Sequence, residues 1–132
     1  MTKPEKLIEL REKIPFNEQK VNSPIELFQH KTLRPILKFS NETINKITLN
    51  YLIKLNPNFN SLNIKKKEEF ILISLKKEQT LKNKLNGIIV GLLTDIELEF
   101  YLENSLQIDE RIQQMIQERV KTQFKNYLPS NN

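Results

Sequence analysis

In the last third of this 132-residue chain, Ile108, Ile112, Met115, Ile116, Val120, Phe124 and Tyr127 recur every three or four positions among glutamine, glutamate, lysine and arginine. That spacing is the period of an α-helix and is incompatible with the two-residue alternation of a half-buried strand. It predicts one long amphipathic helix from about Gln107 to Tyr127. A helix with a single apolar stripe must bury it against neighbours, and no convincing two-residue period exists elsewhere to build a sheet. The run Phe70 to Ile73 could be a strand taken alone, but its lysine and glutamate flanks favour helix. The reading is an all-α protein, a compact single-domain bundle of about six or seven helices over residues 1–132, ending in a frayed tail from Pro129 to Asn132.

Start and stop signals divide the rest of the chain. Thr2 with Glu5 reads as a capping box opening a first helix, whose Leu7, Ile8 and Leu10 run toward Ile14 and Pro15. Ser23, Pro24 and Glu26 open a short second helix carrying Ile25, Leu27 and Phe28. Thr32 reads as the cap of a long third helix, because Pro35 is tolerated within a first turn. That helix should reach Leu55 and stop at Asn56, Pro57 and Asn58. The pattern resumes from Ser61 with Ile64, Ile71 and Leu75. Thr94, Asp95 and Glu97 start a short helix through Phe100 and Leu102, which Asn104 and Ser105 punctuate.

Gly87 and Gly91, the only two glycines, stand one helical turn apart beside Leu81, Leu85, Ile88 and Leu92. A glycine inside a helix costs on the order of 1 kcal/mol against alanine, so close approach of a neighbouring helix is the expected gain. The competing reading makes Asn86 and Gly87 a turn.

Composition narrows function mainly by exclusion. With no cysteine there is no disulfide, thiolate metal site or thiol nucleophile. The charged start of the chain lacks the apolar core of a secretion signal, and the longest apolar stretch, Ile88 to Leu93, is far short of the roughly 20 residues that span a bilayer. A cytoplasmic protein without membrane contact is expected, and the Asn41, Glu42, Thr43 sequon then has no meaning. The net charge of +5 and pI of about 9.4 admit an anionic partner. A chain so rich in lysine, asparagine and isoleucine also fits an A- and T-biased genome. The charges are segregated: Lys65, Lys66, Lys67, Lys76, Lys77, Lys82 and Lys84 precede Asp95, Glu97, Glu99, Glu103, Asp109 and Glu110. The two blocks are expected to face each other within the fold or across a dimer.

Of the 21 basic residues only Arg11, Arg34, Arg111 and Arg119 are arginine, whose planar fork of donors lysine cannot imitate. Arg11 reads as an ordinary member of the charged first helix. Leu33, Pro35, Ile36 and Leu37 should draw Arg34 toward the core, as an internal clamp or as an anion site at a helix start. Arg111 shares a face with Glu118, and Arg119 lies where it could reach another helix. His30, the sole histidine, has no metal-ligand spacing around it and reads as a surface or satisfied residue. No phosphate-loop, dinucleotide, nucleophile-elbow or calcium-loop pattern is present, and the lysines are not interleaved with stacking aromatics. No catalytic residue, metal ligand or cofactor is assigned.

The run Thr32, Leu33, Arg34, Pro35, Ile36, Leu37, Lys38, the segment Leu85 to Gly91, and Asn104 and Ser105 with Arg111, Glu118 and Arg119 resemble a family of small, uncharacterised all-helical bacterial proteins. The resemblance covers nearly the whole chain and brings no established activity. Such proteins are sometimes labelled glyoxalase. Glyoxalase I-type enzymes use βαβββ modules and a metal held by histidine, glutamine and glutamate, and neither the strands nor a second histidine is present here. The expectation is a non-enzymatic interaction module with a protein partner or a second copy. Nucleic-acid or polyanion binding is the alternative, and a metal-dependent lyase is disfavoured by the residues.

Overall fold

The computed structural model describes residues 1–123; Phe124, Tyr127 and the tail from Pro129 to Asn132 lie outside them. In chain order the helices are α1 (Lys3–Glu9), α2 (Pro24–Phe28), α3 (Arg34–Phe39), α4 (Asn41–Leu55), α5 (Ile64–Lys77), α6 (Gln79–Val90), α7 (Asp95–Glu103) and α8 (Ser105–Gln123). A π turn, Gln29–Leu33, joins α2 to α3 without a break, so the described residues form seven helical rods and no strand. The protein is all-α. No helix among these residues is long and apolar enough to cross a membrane.

The stripe Ile108, Ile112, Ile116, Val120 buries one face of α8. Leu81, Leu85 and Ile89 repeat the same four-residue spacing on α6 and are equally buried. With Ile71 and Leu75 of α5 these residues make the central layer, in which α8 packs against both α5 and α6. Burying each such side chain contributes about 1.5–3 kcal/mol, far more than helix propensity can, so packing decides the architecture. Gln113 adds a polar tie by donating from Nε2 to the Lys82 carbonyl at 3.2 Å.

Side-chain caps open four of the described helices, at Thr2, Ser23, Asn63 and Thr94. Ser23 accepts from the Glu26 amide, Asn63 from the Lys66 amide and Thr94 from the Glu97 amide, each satisfying a donor that the first turn leaves open. Pro35 acts differently from the expectation. It has no N–H to give the Lys31 carbonyl, and in a regular helix its ring would strike that group. The helix slips by one residue instead, with the Arg34 amide bonded to the Gln29 carbonyl across the π turn. Thr32 is therefore buried inside a continuous rod rather than capping a new one. The expected single helix from Thr32 to Leu55 is divided at Ser40, whose backbone (φ −89°, ψ 3°) ends α3 while its carbonyl accepts from Ile44 and begins α4.

The segment is helical through Gly87 to Val90, because Leu85 and Ile89 on either side of Gly87 must both reach the core. Among the described residues no neighbouring helix approaches. A Cβ on Gly87 would meet nothing within 4 Å, and one on Gly91, the C-cap, would meet only the Gly87 and Ile88 carbonyls of its own helix. Gly87→Ala is accordingly expected to stabilise the protein by about 0.5–1 kcal/mol, measured as a higher urea midpoint. A loss of stability would place an undetected neighbour against this face.

Candidate interaction surface

The four arginines do not converge. Arg34 is exposed: its neighbours Leu33, Pro35, Ile36 and Leu37 take the inward positions of the rod and leave position 34 on the outside. Arg111 donates from Nη1 to Gln29 Oε1 at 2.7 Å, tying α8 to the π turn. Arg119 donates from Nε to Asn41 Oδ1 at 3.4 Å, at the start of α4. Glu118 is exposed, and its backbone carbonyl accepts from Thr122.

Arg11, expected to be ordinary, is the buried one. It follows α1, and its side chain is 8% exposed against 17% for Glu97. Its guanidinium makes a two-pronged contact, Nη1 to Oε2 at 2.8 Å and Nη2 to Oε1 at 2.7 Å, while Nη2 also reaches the Leu92 carbonyl at 2.9 Å. Glu97 completes the capping box of α7 by accepting from the Thr94 amide at 2.8 Å, and the Thr32 hydroxyl donates to Oε2 at 3.3 Å. Burial pushes the Glu97 carboxyl up, but the Arg11 hydrogen bonds and charge together with the Thr94 donors outweigh it and hold the group below its usual range. This cluster joins the N-terminal segment, the end of α6, the start of α7 and the π turn. The capping-box pattern marked Glu97 in the sequence; nothing local marked its partner 86 residues away.

Of two clefts among the described residues, one borders this framework and the other lies apart from it. One, of about 560 Å³, lies between the segment after α1 and the π turn, with Ile14, Phe16, His30 and Pro35 on its walls. His30 stacks on Phe16 at 5.5 Å and 18°, and its buried Nδ1 has no hydrogen-bond partner. Glu12, Glu18 and Glu97 also line this cleft, and among the described residues none of them is hydrogen-bonded to Nδ1 of the imidazole. The other, about 470 Å³, is an amide-lined groove between α6 and α8. There the Tyr101 hydroxyl and Asn86 Nδ2 both donate to Asp109 Oδ1. Burial and the bond to Asp109 push the Tyr101 hydroxyl pKa up, away from proton transfer near neutrality. Among the described residues no group of three or more histidine, cysteine or acidic side chains is placed to hold a metal.

The outer face of α7 carries strongly exposed aliphatic side chains among acidic residues. At 100° per residue, Asp95, Ile96, Glu99, Leu102 and Glu103 fall within about 120° of one another, and all five are exposed. Ile96 is 81% exposed and Leu102 64%, and Leu106, in the first turn of the adjoining α8, is 86% exposed. The inner face holds Tyr101 in the core with Leu98 and Phe100 packed on it. α7 is therefore apolar on both sides, and periodicity could not tell which apolar residues turn outward. Three exposed aliphatic side chains, two on an acidic ridge and one in the helix that follows it, are costly in water and are the kind of surface that marks a protein contact.

No protein-family model, curated protein or solved structure matches the chain.

Proposed function

We propose that this protein is a non-enzymatic interaction module of the cytoplasm and that the outer face of α7, with Leu106 of α8, is its contact surface. The observation that carries the reading is the exposure of Ile96 and Leu102 on one face of α7 among Asp95, Glu99 and Glu103, with Leu106 exposed at the start of α8. Fully burying one such aliphatic side chain contributes about 1.5–3 kcal/mol, so a partner covering the ridge recovers a gain that the isolated fold forgoes. The acidic rim adds selectivity for a basic partner. The placement of the other polar residues supports a structural role for them: the Arg11 and Glu97 charges are spent on one another, and among the described residues no carboxylate is hydrogen-bonded to Nδ1 of His30.

The test is a paired co-purification with wild type and the double variant Ile96→Gln, Leu106→Gln, which removes apolar area without changing charge. Both positions are exposed, so the fold should be retained, with a thermal midpoint equal to or above that of wild type. The expected result is a protein or second copy held by wild type and released by the variant. Identical co-purifying material from both would refute the assignment of this face.

A further inference from the structure

Resting on that reading of α7, we infer that the partner of its acidic ridge is a second copy of this chain, docked through the outer face of α5. Within the fold the lysine and acidic blocks come together only in part, at the groove between α6 and α8 that Lys82 lines with Asp109 and Glu110. Among the described residues no ion pair joins them; Glu97 is taken by Arg11, and Lys38 pairs with Glu12. The members that stay exposed together on one helical face are Lys65, Lys66, Lys76 and Lys77 on α5 and Asp95, Glu99 and Glu103 on α7.

On α5 the exposed residues are Ile64, Lys65, Lys66, Glu69, Ile73, Lys76 and Lys77. From Lys65 onward they also fall within about 120° on the helical wheel. Four lysines against Glu69 make this face basic, and Ile64 and Ile73 are apolar and more than half exposed. Lys67 is excluded from it, being buried with its ammonium 5.9 Å from the centre of the Phe59 ring. Opposite it in character, the stretch from Asp95 to Glu110 contains no basic residue. The α7 ridge is about 13 Å long for its nine residues and the α5 face about 21 Å for its fourteen, so the ridge fits along the face. Aliphatic side chains stand among charges on both, and the charges are opposite in sign. A second copy therefore supplies the basic, partly apolar strip that the ridge requires.

Charge reversal with cross-complementation tests the contact. One variant carries Glu99→Lys and Glu103→Lys on α7, the other Lys66→Glu and Lys76→Glu on α5; all four positions are exposed. Wild type should self-associate in sedimentation above its 15.7 kDa monomer mass, and less so as salt rises from about 50 to about 500 mM. Each variant alone should associate at least about tenfold more weakly, because like charges then oppose across the contact. Mixing the two variants should restore association, since each retains the face that the other lacks. A wild type that stays monomeric overturns the second-copy assignment and leaves the co-purification comparison to judge the α7 face. Association unaffected by the α7 reversal overturns both readings. Loss in the α7 variant but not the α5 variant, or a mixture that stays monomeric, overturns the α5–α7 pairing. Salt-sensitive binding of a DNA duplex that needs Lys66 and Lys76, without self-association, assigns the lysines to a polyanion and likewise overturns it.

Discussion

Arg11→Ala is expected to destabilise the protein by about 3 kcal/mol, the cost of leaving a largely buried charge without its partner. Glu97 would keep the Thr94 amide and Thr32 hydroxyl but lose both prongs of the guanidinium, and the Leu92 carbonyl at the end of α6 would lose a donor. Arg11→Lys should recover only part of the loss, because an ammonium cannot satisfy two carboxylate oxygens and a carbonyl with the same planar geometry. The pH dependence follows from the depressed Glu97 pKa. A carboxyl whose folded pKa lies below its unfolded value contributes stability that is fully present above the unfolded pKa. That contribution is lost as pH falls through the folded one, because between the two the unfolded chain binds more protons. Urea midpoints from pH 7 down to about pH 3 should therefore show wild type and Arg11→Ala converging. A gap that stays constant over that range would mean that the pair is not what Arg11 contributes.

Phe59→Ala is expected to cost about 4 kcal/mol, since a fully buried aromatic ring would be replaced by a cavity. Phe59 sits in the short turn between α4 and α5, its ring 6.0 Å from that of Phe70 and inclined by 43°. The same ring lies under the Lys67 ammonium, so truncation also removes the face that accompanies a buried cation. Phe59→Leu should cost less than half as much as alanine, because most of the volume is kept. A double-mutant cycle of Phe59→Leu with Lys67→Met should give a coupling of about 0.5–1 kcal/mol, and additive effects would remove the cation–π contact from the account.

Much of the helical layout could be read from residues close together in the chain. The four-residue stripes of α6 and α8, the caps at Ser23 and Thr94, and the stop at Asn56 to Asn58 all act within a turn or two. Pro35 was visible as a perturbation, but two local remedies exist, a new helix start and a slipped hydrogen bond. The choice fell to the slip, which keeps Phe28, Leu33, Ile36 and Leu37 all buried in one rod. At Asn86 and Gly87 a turn-forming pair yielded in the same way to the burial of Leu85 and Ile89.

The polar residues were far less predictable, for a physical reason. Arg34 has apolar neighbours and points outward; Arg11 has charged neighbours and is buried by Glu97, distant in sequence. Likewise Leu98 packs on the core while Ile96 and Leu102 of the same short helix face solvent. Periodicity and caps are energies between near neighbours, so the chain alone determined that it is helical and where several of the helices begin. Which side of each helix is covered depends on surfaces brought together across the fold, and only the tertiary structure decided that Arg11 lies inside while the ridge of α7 stays open for a partner.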